Sequence, residues 1–133
     1  MKTHISLETS QLDRAVEFYE KFLGVEPDKR RADYALFLLE DPGLELAIDV
    51  RSNLATAHNA HYGLVVDSSE QVSTWIERLQ AAGLSLDLER DVECCYARED
   101  KAWATDPDGR RWEVYTVLEE IDERGGAPGA SCC

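Results

Sequence analysis

The sequence predicts an α+β domain built from two βαβββ modules, and three observations carry that expectation. Two amphipathic helical stretches each stop at a glycine. A short strand that opens with histidine precedes each of them. A tight turn containing Asp-Pro precedes the last strand of each half. From the histidine to the stop glycine the separation is 20 residues in one half and 22 in the other, so the pattern reads as an internal repeat.

The first module opens on the strand His4-Ile-Ser-Leu7. Ser10 is expected to cap the helix that follows, with Asp13 three residues later as in a capping box. Leu12, Ala15, Val16, Tyr19, Phe22 and Leu23 fall at helical spacing, and Gly24 supplies the stop. Strands are then expected over Tyr34–Leu39 and Leu44–Val50, joined by the turn Asp41-Pro-Gly43. The second module opens on His61-Tyr-Gly-Leu64. Ser68 or Ser69 caps a helix whose apolar stripe is Val72, Trp75, Ile76, Leu79 and Ala82, ended by Gly83. Strand-like runs follow at residues 84–88, 95–98 and 102–105. After the turn Asp106-Pro-Asp-Gly109 comes a last one at residues 111–117. The modules therefore span about residues 3–50 and 60–117 of a domain covering 1–118, with 51–59 as linker. Beyond it the composition shifts to Glu, Gly, Pro, Ala and Ser, and residues 119–133 read as a flexible acidic tail ending in Cys132 and Cys133. The strands of the two modules are expected to form a curled mixed sheet around a shared concavity.

Bulk properties narrow the function classes. The chain has 133 residues, the size of one ordinary domain, and 44% hydrophobic residues, enough for a core. Its 27 acids against 14 bases give a net charge of −13, which repels phosphate backbones and anionic lipid. No nucleic acid and no membrane surface is expected as a partner. Residues 1–7 carry one Lys and a strand-like alternation in place of a signal sequence, and no transmembrane run follows. A cytoplasmic protein with reduced thiols is expected.

Strand alternation suggests where a metal would sit. His61, Gly63, Val65 and Asp67 share one face of their strand. Arg111, Glu113, Tyr115 and Val117 share one face of the last strand, while Trp112 and Val114 point into the core. His61 and Glu113 are thus expected to converge, and imidazole with carboxylate suits Fe, Mn, Zn or Ni. Aligning the two turns sets Gly43 on Gly109 and Ala47 on Glu113. The first half lacks the carboxylate but keeps a histidine, His4. Two histidines and one carboxylate make a facial triad with open positions. A lone His and Glu near strand ends are more often ordinary surface or hydrogen-bonded residues. The matching placement of His4 and His61 favours ligands. His58, in the linker, reads as a solvated loop residue.

The cysteines come as two adjacent pairs, Cys94–Cys95 and Cys132–Cys133. Neighbouring Cα atoms stand ~3.8 Å apart, below the ~4.4 Å lower end of ordinary disulfides, so an internal bridge is disfavoured. In a flat strand the two thiols of Cys94 and Cys95 point to opposite faces, and a turn or bulge would bring them to one side. Paired thiolates select soft ions. The bland reading is a packed or incidental pair. The tail pair reads equally as an accidental exposed pair or as a mobile capture site.

These features resemble the glyoxalase/bleomycin resistance/dioxygenase, or vicinal oxygen chelate, superfamily, and within it the organoarsenical C–As lyases and the cadmium-induced proteins. The resemblance covers about residues 1–119. It rests on Ala15-Val-Glu-Phe-Tyr19, Leu23-Gly, Glu26-Pro27, Cys94-Cys-Tyr-Ala97, Asp100-Lys-Ala-Trp103, Asp106-Pro-Asp-Gly109 and Trp112-Glu-Val-Tyr-Thr-Val-Leu118. It implies a non-haem Fe(II) centre on His61, Glu113 and His4, which stands where some relatives have glutamine. It implies dioxygen as co-substrate, Cys94 and Cys95 as ligands of substrate arsenic, and cleavage of the C–As bond of trivalent methyl or aromatic arsenicals to arsenite. Tyr96 or Trp103 would line the pocket for the organic group, although aromatic residues in strands are more often core. A homodimer is also expected. Two other readings stand beside it. One is a sequestration protein for arsenite or cadmium that uses the thiols without catalysis. The other is a different enzyme of the superfamily, such as a fosfomycin thiol transferase or a glyoxalase, with no need of Cys94–Cys95.

Overall fold

A computed structural model describes the backbone of residues 1–52 and 60–125, and their side chains apart from Cys94, Cys95 and Arg124. His58, Cys132 and Cys133 lie outside the described residues. The element order is β1 (Thr3–Thr9), α1 (Leu12–Leu23), β2 (Lys29–Arg31), β3 (Tyr34–Leu39), β4 (Leu44–Val50), β5 (Tyr62–Val65), α2 (Ser69–Ala81), β6 (Asp87–Thr105) and β7 (Arg111–Gly125). Two compact units emerge. Of the described residues, one comprises 1–52 and 60 with 105–110, the other 61–104 with 111–125. The α+β class and the helix-and-strand repeat are as expected.

In the first unit the sheet order is β1-β4-β3-β2. β1 runs parallel to β4, and β3 is antiparallel to both β2 and β4. Helix α1 buries Leu12, Ala15, Val16, Phe18, Tyr19, Phe22 and Leu23, the face that the helical spacing marks out. Phe18 meets Tyr19 edge to face at 5.0 Å and stacks on Phe22 at 5.7 Å, while Tyr19 reaches Phe37 of β3 at 6.4 Å. Gly24 ends the helix in the left-handed region at φ 73°, where a residue without Cβ meets no steric penalty. The start of α1 differs from expectation. Gln11, not Ser10, is the N-cap, and no side chain caps the helix; instead the Gln11 amide donates to the Thr9 hydroxyl at 3.1 Å. The short strand β2 also lies in a stretch that periodicity left unassigned, because Lys29-Arg-Arg31 carries no apolar alternation.

The Asp106-Pro-Asp-Gly109 turn belongs to this first unit although the second module supplies it. The buried Asp106 carboxylate accepts from Tyr19 Oη at 2.7 Å, from the amides of Asp108 and Arg110 at 3.0 and 2.8 Å, and from Arg110 Nη1 at 3.2 Å. Arg110 also donates to the Glu8 carbonyl, and Gln11 donates to the Pro107 carbonyl at 3.0 Å. Burying the charge pair is tolerated because nearly every donor and acceptor is used.

In the second unit the order is β5-β7-β6, with β5 parallel to β7. Ser68 caps α2 as expected, its hydroxyl accepting from the Gln71 amide at 3.2 Å. Val72 and Ile76 of α2 pack with Ala102 of β6, and Val66 and Leu86 border that cluster. The separate runs anticipated at 84–88, 95–98 and 102–105 form one long element, β6, preceded by non-strand residues at 84–86. It doubles back on itself. Trp103 Nε1 donates to Glu89 Oε2 at 3.4 Å, Arg90 Nη1 to Asp100 Oδ2 at 3.2 Å, and the Asp91 amide to Asp100 Oδ1 at 2.7 Å. In a straight strand residues 89 and 103 would stand about 45 Å apart. The reversal therefore lies between Asp91, at φ 50°, and Arg98, whose guanidinium pairs with Asp91 at 3.0 Å. That span carries Cys94 and Cys95. With its two limbs counted separately, this sheet has four strands like the first. β7 continues to Gly125, beyond the expected end at Val117, so residues 119–125 are strand where a tail is expected. Glu119 contributes an ion pair to Arg98 at 3.6 Å, a contact that composition does not reveal.

The repeat holds in the register. Ser6 of β1 faces Ala47 of β4, and Gly63 of β5 faces Glu113 of β7. Each histidine precedes the first member of its pair by two residues. No described helix is long and apolar enough to cross a membrane.

Replacing Tyr19 with Phe deletes one hydrogen bond to a buried carboxylate and should cost about 1.5–3 kcal/mol in urea unfolding. An unchanged midpoint would show that this bond does not hold the turn. Asp100 sets an acid limb. Burial alone would raise its pKa, but the Asp91 amide, the Ser69 hydroxyl and Arg90 outweigh it and hold the group below its ordinary 3.8. A depressed carboxylate stabilises the fold above its unfolded pKa, and that contribution disappears as pH falls through the folded value. Wild type should thus lose more stability than Asp100→Asn between about pH 5 and 2. Parallel acid limbs for the two proteins in pH-dependent unfolding would contradict this.

Candidate metal centre

His61 immediately precedes β5, and Glu113 is the third residue of the neighbouring parallel strand β7. The register puts Gly63 opposite Glu113, and a side chain at that position would crowd the carboxylate. A Cβ on Gly63 would stand 3.0 Å from Glu113 Cγ, 3.3 Å from its Oε1 and 3.3 Å from Tyr115 Cε1. The Glu113 side chain instead lies across the bare glycine. Its Oε1 is 3.5 Å from His61 Nε2. Glu113 is buried, with 6% exposure, and the His61 side chain retains 28%.

The other oxygen of the carboxylate faces an ammonium. Lys101 of β6 is 1% exposed, and its Nζ lies 3.3 Å from Glu113 Oε2 and 2.5 Å from Glu99 Oε2. The same Nζ lies 5.6 Å from the ring centres of both Trp103 and Tyr115. Burial pushes the Glu113 pKa above its ordinary value, against the opposing pull of Lys101 and His61. Tyr115 is also raised, by burial first and then by the charges of Glu113 and Glu99. Trp103 meets the His61 ring edge to face at 5.2 Å, and the Arg111 guanidinium lies over its indole at 4.1 Å.

Two donors about 2.1 Å from a common metal stand about 3.0–3.4 Å apart at octahedral to tetrahedral angles. The 3.5 Å between His61 Nε2 and Glu113 Oε1 therefore suits a shared divalent cation with little adjustment. A buried carboxylate with a raised pKa gains from such a charge. These two residues fit the metal that the sequence suggests. Among the described residues no group of three His, Cys, Asp or Glu side chains is gathered as a ready cage.

The sequence-predicted residues divide accordingly. His61 and Glu113 are brought together. His4 lies in the first unit, its side chain 57% exposed and its Nδ1 3.3 Å from Oε1 of Glu45, its register partner on β4. Cys94 and Cys95 lie in the reversal of β6 by their backbone, and their side chains are outside the described residues. Trp103 borders His61, whereas Tyr96 is half exposed. Sequence reading missed Gly63, Glu99 and Lys101. A signal was present: Glu99, Lys101 and Trp103 share one strand face, and Ala102 and Ala104 on the other face mark the strand as core.

Gly63→Ala should push Glu113 off its place, lowering stability by about 1–3 kcal/mol in urea unfolding. The same substitution should weaken Co(II) binding measured by calorimetry. If neither quantity moved, the space over Gly63 would not be what seats Glu113.

Comparison with known proteins shows the family and the fold. The family model described as the Glyoxalase/Bleomycin resistance protein/Dioxygenase superfamily matches residues 3–114. A trivalent organoarsenical cleaving enzyme from Bacillus sp. (strain MD1) is 39% identical over 131 residues, 98% of this chain and 81% of that protein. The cadmium-induced protein CadI of Mycobacterium tuberculosis is 39% identical over 127 residues, 96% of this chain and 83% of that one. Among solved structures, a glyoxalase/bleomycin resistance protein/dioxygenase from Alicyclobacillus acidocaldarius superposes with a TM-score of 0.71 at 18% identity, covering 90% of this chain and 92% of that one. With a family match over most of its length and relatives this similar, the chain belongs to the glyoxalase/bleomycin resistance protein/dioxygenase superfamily.

Proposed function

We propose that this protein is an Fe(II)- and dioxygen-dependent C–As lyase that releases arsenite from trivalent methyl or aromatic arsenicals. One observation supports the reading above the others. The His61–Glu113 donor pair and the span bearing Cys94–Cys95 belong to one sheet, because β6 is the neighbour of β7. Relatives named as organoarsenical cleaving enzymes support the substrate class.

In this reading His61 and Glu113 hold Fe(II), and His4 is the third ligand on the strength of its place in the repeat. An Fe(II) ion held by these residues would supply the redox chemistry that dioxygen requires. Cys94 and Cys95 bind the arsenic as thiolates and fix the attached organic group, a positioning effect that removes the entropy cost of encounter. The doubled-back course of β6 supports that role, since a reversal can bring adjacent side chains to one side where a flat strand cannot. Trp103, buried beside His61, holds the imidazole edge. The protein acts in this reading as a cytoplasmic homodimer.

A second reading is favoured by the likeness to CadI, a cadmium-induced protein. The thiols would then sequester a soft cation without turnover.

An aerobic assay with Fe(II) and a trivalent methylarsenical, read by arsenite speciation, separates the two. Release is expected from wild type, none without oxygen, none from Glu113→Ala, and none from Cys94→Ser/Cys95→Ser. Binding of the arsenical with no arsenite released would establish sequestration instead. Full activity after loss of both thiols would point to another chemistry of the superfamily. His4→Ala should lower Fe(II) affinity, and an unchanged affinity would remove His4 from the ligand set.

A further inference from the structure

The two oxygens of Glu113 occupy different environments, and one of them is already taken. Oε2 lies 3.3 Å from the ammonium of Lys101, while Oε1 lies 3.5 Å from His61 Nε2. Lys101 has little freedom to leave. It is 1% exposed, Glu99 Oε2 holds the same ammonium at 2.5 Å, and the rings of Trp103 and Tyr115 flank it at 5.6 Å each. Glu113 has little freedom to rotate, because it is buried and each of its two oxygens faces a different partner, Lys101 on one side and His61 on the other.

We propose that Lys101 is a positioning residue that reserves Oε2 of Glu113, so that Oε1 alone is offered to the divalent cation beside His61. Glu99 keeps the ammonium in place when the cation takes its share of the Glu113 charge. This rests on the reading of His61 and Glu113 as metal ligands. An unrestrained carboxylate binds a cation through one oxygen or through both. Holding Glu113 to one oxygen leaves one more coordination position for small molecules from solution, which a centre that must accept an exogenous ligand needs. A lysine that merely neutralised two buried acids would have no such effect on the coordination of the metal.

Mn(II) is a suitable probe, with the full chain in the wild-type form and as Lys101→Arg, Lys101→Met and Glu99→Gln/Lys101→Met. The double variant removes one acid and one base together, so it leaves no added uncompensated charge if Lys101→Met alone fails to fold. Affinity is read from the free Mn(II) resonance signal, and the count of exchangeable metal-bound waters from water-proton relaxation. Wild type and Lys101→Arg, which both keep a cationic donor, should have the same water count. The double variant should lose one exchangeable water as Glu113 closes on the metal with both oxygens. An unchanged water count in the double variant, with binding intact, would overturn the positioning role and leave the metal reading standing. Failure of wild type to bind Mn(II) in a manner dependent on His61 and Glu113 would overturn both.

Discussion

Gly63 of β5 lies opposite Glu113 of β7, and that single parallel register decides the chemistry available in the second unit. A shift of one residue would turn Glu113 to the opposite face and bring Trp112 or Val114, now buried core residues, into its place. The shift would also set a side chain against Glu113 in place of the glycine that it crosses. The register is secured by the apolar residues on the far face, where Trp112 stacks on Tyr62 at 5.0 Å. Core packing on one side of the sheet thus holds a carboxylate in position on the other.

A carboxylate buried in this way needs positive charge. Lys101 provides part of it, and its own burial is made tolerable by two acids, Glu99 and Glu113. Such a cluster is expensive to break, because removing one member leaves another buried and unpaired. It is also short of one positive charge if both acids are ionised against one lysine. Burial first, and the charge of Glu99 least, raise the pKa of Glu113, and an added cation would offset both. The first unit buries charge as well, in Asp106 and Arg110, but there the carboxylate is fully engaged with Tyr19, two amides and the guanidinium. It has no call on an added cation. Two buried acids on one chain therefore have different uses, and their hydrogen-bond partners distinguish them.

Relations between strands were legible where they follow from alternation within a repeat. The residues His61 and Glu113 were marked as convergent by face and by the position of the turn before β7, and Trp112 and Val114 as core. The end of α1 at Gly24 and the Ser68 cap of α2 follow from local backbone chemistry. The cap of α1 did not, since Thr9, Ser10 and Gln11 offer competing local hydrogen bonds. The polar continuation of β7 to Gly125 was hidden because propensity marks acidic residues as poor strand formers, whereas pairing with a neighbouring strand overrides propensity. Lys101 was overlooked because a lysine is ordinarily placed in solvent, and only its neighbours make its burial possible.

By itself the sequence determined the class of fold, the repeat, the histidines at matching points of the two halves and the presence of a carboxylate in only one of them. These depend on periodicity and on local turn chemistry, which are properties of neighbouring residues. Tertiary structure decided that β6 doubles back between Asp91 and Arg98, that the Asp106 turn joins the first unit, and that Lys101 and Glu99 stand at Glu113. Each of these depends on which charged groups are desolvated together, and burial is set by the packing of distant segments that no local pattern records.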